Sequence, residues 1–455
     1  MKLFDDTIIG ISTALSKGAI SIIRLSGDDA IKIVNKVFKG IDLSKVEPNT
    51  INYGHIVDFD SCQIIDEVLV SIFKAPKSYT KEDVVEINCH GGLFVTNKIY
   101  EQLVLLGARP SEPGEFTKRA FLSGRIDLTK AEAVMDVINA ENSAALKIAN
   151  SALNGKISTF VDQKRQELLD IIATISVNID YPEYDDVEQL TNEDILPKLK
   201  TIKLELEDVL NNAKSAKLLK NGINTVIVGK PNVGKSSLLN TLIGENKAIV
   251  TNIPGTTRDI VEASINLGQV TLNLIDTAGI RITEDVVEKI GVEKSKEQIN
   301  KADIILCVLD GSEPINEQDK EILNEIKNKC HLTIINKIDL EQKINLGEVD
   351  DNVLFISTKN NNTIKELENK ILETLNLNNL FNKDITYISN ARQLEKINFA
   401  IKALDEALTT IENEATIDFV DIDIRKAWLY LGEIVGQTST DNLLDELFSN
   451  FCLGK

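Results

Sequence analysis

The octapeptide Gly229-Lys230-Pro231-Asn232-Val233-Gly234-Lys235-Ser236 constrains this chain more than any other stretch of its 455 residues. Glycines at this spacing let successive backbone amides converge on phosphate oxygens, and a helix that follows aims its positive end at the same point. Such a turn works only between a buried strand and a helix. Val226-Ile227-Val228 predicts the strand and Ser237 to Ile243 the helix. Lys235 is spaced to reach the outer phosphates and Ser236 to ligate Mg²⁺.

Further signals follow in order. Thr256-Thr257 sits after Pro254-Gly255, where a hydroxyl of Thr257 completes a Mg²⁺ shell while the terminal phosphate is present. Asp276-Thr277-Ala278-Gly279 ends a buried strand; Asp276 suits a water-mediated Mg²⁺ contact and the Gly279 amide suits the terminal phosphate. Asn336-Lys337-Ile338-Asp339 supplies base selection, because a carboxylate accepts two hydrogen bonds from guanine that adenine cannot offer. Ser357-Thr358-Lys359 is expected to close over the base. The water-orienting Gln of many GTPases is replaced by Ile280, which leaves Arg281 as a candidate arginine finger and Glu288 as a candidate acid, each equally readable as a solvated loop charge.

The length suggests about three domains. Residues 1–118 mix strand patterns (Ile20–Leu25, Glu67–Phe73, Val84–Cys89) with a helical pattern from Leu93 to Leu106, an α+β arrangement. Residues 119–220 read as helical; Thr129 with Glu132 fits a capping box, and Asn154-Gly155 reads as an irregularity within a helix. Residues 221–374 alternate strand and helix, with buried strands at Thr225–Val228, Leu272–Ile275, Ile304–Leu309, Thr333–Ile335 and Val353–Ile356, as a doubly wound sheet requires. Helical patterns return over 375–455. The expected architecture is a multidomain α/β plus all-α chain: an α+β domain, then a helical domain interrupted by an inserted Ras-like P-loop domain.

A formal net charge of -20 argues against a broad electrostatic nucleic-acid binder, though not against a local basic pocket. Cys62, Cys89, Cys307, Cys330 and Cys452 are scattered, with no zinc or redox spacing, which fits reduced thiols in a cytoplasm. No apolar run reaches the length of a membrane span, and the acidic start gives no signal-peptide pattern.

Outside the nucleotide motifs, several segments resemble the MnmE (TrmE) family of tRNA-modifying GTPases, within the TrmE-Era-EngA-YihA-Septin-like superfamily. They are Asp6-Thr7-Ile8, Ile22 to Gly27, Tyr79 to Glu86, His90-Gly91-Gly92, Pro113 to Leu122 and, most specifically, the terminal Phe451-Cys452-Leu453-Gly454-Lys455. The chain departs from the family at Thr13 to Gly18, where many members carry Pro-Pro-Gly-Arg.

The resemblance implies a homodimer built on a folate-binding N-terminal domain, and a flavoprotein partner, MnmG (GidA), in a heterotetramer or larger complex. It implies an aminomethyl or carboxymethylaminomethyl group added at C5 of a tRNA wobble uridine, with formyl- or methylene-tetrahydrofolate as one-carbon donor. Folate contacts carry over to Arg24, Glu86, Arg125 and Lys455. The GTP site carries over to Asn232, Val233, Gly234, Lys235, Ser236 and Ser237, to Thr251-Asn252-Ile253-Pro254-Gly255-Thr256-Thr257, to Asp276 through Gly279, and to Asn336, Lys337, Asp339 and Ser357-Thr358-Lys359. Potassium, held by Asn232, Thr251, Ile253 and Thr256, replaces the arginine finger when two G domains pair, and Glu288 activates water. Cys452 is open to two readings, a nucleophile beside the one-carbon site or a small packed thiol. The alternative function is a ribosome-assembly switch acting on rRNA, against which the acidic helical C-terminal region counts.

Overall fold

The structure is a computed structural model that describes residues 5–180, 192–245, 261–275, 298–349, 351–357, 363–377, 388, 390–413, 416–437, 441–449, 451 and 454. It divides into two compact units, residues 1–135 with 432–455, and residues 136–431.

The first unit is built on a seven-stranded sheet of β1 (Ile8–Ile11), β2 (Ile20–Ser26), β3 (Phe38–Lys39), β4 (Thr50–Val57), β5 (Ile64–Phe73), β6 (Val84–His90) and β7 (Arg109–Pro110), in the spatial order β3-β4-β5-β6-β2-β1-β7. Alternation along the strands separates two faces. Ile23, Leu25, Val70, Ile72, Val85 and Ile87 point into a core shared with α1 (Ala30–Asn35) and α2 (Leu93–Leu105). The register sets Arg24 opposite Glu86, Glu86 opposite Ser71, and Ser71 opposite Ile51, one row on the other face.

Next come α3 (Glu115–Leu122) and α4 (Leu128–Ile138). Leu128 and Ala131 pack with Leu444, Phe448 and Phe451, so the C-terminal helix Asp441–Ser449 and the tail return to this unit. Arg119, 1% exposed, is held by Asp6, Glu82 and Glu115, and Arg109 shares Asp6 and Glu115. The expected Thr129 cap of α4 is corrected: the Asp127 carboxylate accepts the Lys130 N–H at 3.0 Å and the Thr129 hydroxyl at 2.6 Å. A carboxylate just ahead of the helix competes better for the open amides than a hydroxyl two residues later, already inside it.

The second unit joins helices to a nucleotide-type sheet. Asn154-Gly155 is not an irregularity within one helix. It separates α5 (Ser143–Leu153) from α6 (Lys156–Asp180), with Gly155 at φ +85°. The 30-residue α7 (Asn192–Asn221) then runs into β8 (Ile223–Val228) with Gly222 alone between them. After α8 (Lys235–Glu245) come β9 (Val261–Leu267), β10 (Val270–Ile275), β11 (Ile304–Asp310), α9 (Glu317–Ile326), β12 (His331–Asn336), β13 (Val353–Phe355) and α10 (Thr363–Thr374). The sheet order is β13-β12-β11-β8-β10-β9, parallel except for the antiparallel edge strand β9. α11 (Ala391–Glu412) and α12 (Ile417–Val435) complete the helical part.

One apolar core crosses from the sheet (Ile265, Leu272, Leu306) to α5 and α7 (Ala144, Ile148, Ala216, Leu219). Asn142, buried at the head of α5, fastens this junction. Its Oδ1 accepts the Ala145 N–H, and its Nδ2 donates to Leu219 O and Thr271 Oγ1, both at 3.1 Å. No helix among the described residues is long and apolar enough to cross a membrane.

Candidate functional site

The phosphate loop lies where parallel strands β8 and β11 deliver their C-terminal ends, the crevice in which open α/β sheets bind ligands. Gly229 approaches so closely that a Cβ there would stand 2.4 Å from the Val308 carbonyl oxygen. Gly234 sits at φ +102°, and a Cβ would meet Asn336 Nδ2 at 2.1 Å. The loop therefore brings bare backbone to its mouth, as phosphate binding requires. Lys235 opens α8, and its Nζ donates to the carbonyls of Gly229 and Lys230, both at 2.7 Å. Burial pushes the Lys235 ammonium below its ordinary pKa. A phosphate oxygen offers that ammonium a charged partner in place of two neutral carbonyls. Ser236 and Ser237 are exposed on the first turn of α8, and Asn232 is exposed with a left-handed backbone, φ +63°.

Asn336 ends β12 inside the protein. Its Nδ2 donates to Val233 O at 3.0 Å, so the base-reading strand is tied directly to the phosphate loop. Its buried Oδ1 has no partner among the described residues. A buried amide oxygen without a partner costs free energy until something donates to it, which fits a site made for a ligand. Lys337, also left-handed at φ +64°, pairs with Asp310 at 2.5 Å. Burial pushes the Asp310 carboxyl up, but Lys337 and Ser312 outweigh it and hold the group below its usual value. Asp339 is exposed and accepts the Ser357 hydroxyl at 3.0 Å. The described residues thus bring Asn232 to Ser237 together with Asn336. GTP and Mg²⁺ fit this donor set: amides and Lys235 for phosphates, Ser236 for the metal, Asp339 for guanine.

A second cluster lies on the outer face of the first unit. Arg24 Nε and Nη2 both reach Glu86 Oε1, at 2.8 and 2.7 Å, each side chain about one-fifth exposed. Glu86 Oε2 has no partner among the described residues. The Gly454 carbonyl comes back to accept Arg24 Nη1 at 3.3 Å and Ser12 Oγ at 3.0 Å. Arg125, which makes no hydrogen bond or ion pair with that cluster among the described residues, stacks in the same unit over the Tyr79 ring, 4.8 Å from its centroid. A pterin offers adjacent N–H donors for Glu86 Oε2 and a carboxylate tail for arginine, so the residues present fit a folate.

Several expected residues lie outside those the structure describes: Thr251, Asn252, Ile253, Pro254, Gly255, Thr256, Thr257, Asp276, Thr277, Ala278, Gly279, Ile280, Arg281, Glu288, Thr358, Lys359, Cys452 and Lys455. Sequence reasoning missed Asp310, and the signal for it was an acid closing the apolar run Ile304–Leu309. It also missed the Asn336–Val233 tie, for which 103 residues of separation leave no local signal.

Comparison with known proteins gives the following. A family model described as the MnmE helical domain matches residues 128–452, and one described as the GTP-binding protein TrmE N-terminus matches residues 7–125. The chain is 50% identical over 455 residues to the tRNA modification GTPase MnmE of Bacillus cytotoxicus, with 99% of each chain covered. It is 49% identical over the same length, with the same coverage, to the proteins of that name from Bacillus mycoides and Bacillus anthracis. Among solved structures, the G domain of the T. maritima FeoB iron transporter is 27% identical, covering 33% of this chain and 98% of that one at a TM-score of 0.25.

Proposed function

This chain belongs to the MnmE family, and from that premise we propose that it is a cytoplasmic GTPase of tRNA modification. It works as a homodimer with the flavoprotein MnmG and installs an aminomethyl or carboxymethylaminomethyl group at C5 of the wobble uridine. The domains are 1–118 for folate and dimerisation, 119–220 and 375–455 for the helical framework, and 221–374 for GTP.

The observation that carries the finer reading is the Arg24–Glu86 pair with the Gly454 carbonyl against it. A GTPase switch alone has no use for a half-buried ion pair with the C-terminal tail against it, in which only one carboxylate oxygen is engaged among the described residues. There the tetrahydrofolate supplies a one-carbon unit when bound; Glu86 Oε2 accepts from the pterin edge, while Arg125 and Lys455 meet the acidic tail. The same sheet face supports the dimer. Ile51, Tyr53 and Leu69 are exposed on it, with Tyr53 directly opposite Leu69.

In the G domain, Lys235 and the loop amides hold the phosphates, Ser236 and Thr257 hold Mg²⁺, and Asp339 reads guanine. Asn232, Thr251, Ile253 and Thr256 hold K⁺ when two G domains pair, and Glu288 orients water. A cation at that place neutralises charge that an arginine finger would otherwise meet, an effect worth about 10³ to 10⁵ in rate.

The test is the wobble uridine itself. Nucleosides from tRNA of a strain lacking the protein should lack the C5 group, and the parent chain should restore it. Glu86→Ala should fail to restore it while hydrolysing GTP at the parent rate. Restoration by Glu86→Ala would sink the folate assignment; a fully modified wobble position in the deletion strain would sink the function. Hydrolysis should also rise strongly when K⁺ replaces Na⁺, and equal rates in the two salts would remove the cation reading.

A further inference from the structure

Beside the phosphate loop, one of its own residues, Lys230, meets two acids that no nucleotide motif contains. Lys230 Nζ donates to Glu313 Oε2 at 3.0 Å and to Asp319 Oδ2 at 3.2 Å, and the lysine and Asp319 side chains are only 10% and 4% exposed. Asp319 is the third residue of α9. It closes a capping box there: its Oδ2 accepts the Asn316 N–H, and its own N–H donates to Asn316 Oδ1. Its Oδ1 is buried with no partner among the described residues.

Stability alone is a poor reason for this arrangement. Removing an ion pair from water costs about several kcal/mol per ion, and the attraction between the charges often does no more than offset that. What the pair supplies is position. The Lys230 side chain grips the head of α9, while its main-chain carbonyl, together with that of Gly229, holds the Lys235 ammonium. Pro231 follows with a fixed φ, and Asn232 then turns left-handed at φ +63°. One residue therefore joins the first turn of the phosphate loop to a helix cap 89 residues further along the chain.

We infer that Lys230 is a positioning residue for GTP binding and hydrolysis, acting through Asp319 and Glu313. Anchored to α9, it sets the backbone of Gly229 to Asn232 before nucleotide arrives, so that the loop amides meet the phosphates without rearrangement. The inference rests on the GTPase activity alone and not on folate, K⁺ or the tRNA product.

The experiment uses the full chain and a fluorescent GDP with Mg²⁺, well below the unfolding transition. Lys230→Met keeps the length and removes the charge; it should raise the Kd for GDP and lower kcat/KM for GTP, each by about tenfold. Lys230→Arg should return both to within about threefold of the parent. Asp319→Asn keeps the cap acceptor and removes the charge, and should repeat the loss; it also serves if Lys230→Met does not fold. The double variant should bind no worse than Lys230→Met, because both changes break one link. A merely structural pair would lower the unfolding temperature and leave Kd and kcat/KM at parent values. That result overturns the inference, as do losses that multiply in the double variant.

Discussion

Gly234→Ala puts the described nucleotide geometry to its hardest test. The new Cβ would stand 2.1 Å from Asn336 Nδ2 and 3.4 Å from its Cγ. Ordinary packing needs well over 3 Å, so the Asn336 amide must withdraw by about 1 Å. That withdrawal breaks the 3.0 Å bond to Val233 O. Both residues are about 1% exposed, so neither group finds water in exchange. An unsatisfied buried amide costs about 1–3 kcal/mol. An L-residue at φ +102° adds about 1–2 kcal/mol. The sum is about 2–5 kcal/mol. Without nucleotide the loop can relax and shed much of it, but a bound diphosphate demands the original backbone, so most of the cost appears as lost affinity. At 1.4 kcal/mol per factor of ten, GDP should bind about 30-fold more weakly or worse. Titration of a fluorescent GDP with Mg²⁺ measures this, with Gly347→Ala as the control; its Cβ meets nothing nearer than 3.5 Å. A Gly234→Ala protein that binds GDP within twofold of the parent, with an unchanged unfolding midpoint, would refute the reasoning.

Two other expectations concern the first unit. Gly454→Ala would place a Cβ 2.3 Å from the Ile11 carbonyl oxygen at φ +82°, so the tail must lift and lose its bonds to Arg24 and Ser12; folate affinity measured by calorimetry should fall by about tenfold while GTP turnover stays at the parent value, and unchanged affinity would detach the tail from the folate site. For Asp6 and Glu115, burial pushes the carboxyl pKa up, but Arg109 and Arg119 outweigh it and hold both below their ordinary values. Because the folded values are the depressed ones, this stabilisation is complete above the unfolded carboxylate range and is lost as pH falls through the folded values. The urea midpoint of the full chain should stay flat from neutral pH to about 5 and fall below that; Glu115→Gln should shrink the fall, and an identical slope would exclude the network as its source.

The sequence made the G domain legible because its chemistry is local. Gly229 to Ser236 needs a strand before it and a helix after it, and β8 and α8 stand there. β9 is hidden in the sequence because Val261-Glu262-Ala263-Ser264 is too polar for a buried run; it is the antiparallel edge strand of the sheet. The start of α4 was misjudged because Asp127 and Thr129 offer similar capping chemistry two residues apart, and the approach of the backbone decides between them. The pairing of Arg24 with Glu86 depends on strand register, which residue types alone do not set. No local pattern marks Asn142, whose three bonds to α5, α7 and β10 follow only from the packed arrangement.

The direct run of α7 into β8 has a mechanical meaning. Thirty residues of helix measure about 45 Å. With Gly222 the only residue between helix and strand, and with Asn273 Nδ2 bonded to Asn221 O at 2.9 Å beside it, the junction has little slack to absorb a tilt. From Lys198, just past the Pro197 inside the helix, to Asn221 the rod is about 36 Å long, and a rotation of about 5° at the sheet would sweep its far end through about 3 Å, the rise of two residues. A nucleotide-dependent tilt too small to see at the phosphates would thus become, at the far end of that rod, a displacement of about two residues' rise.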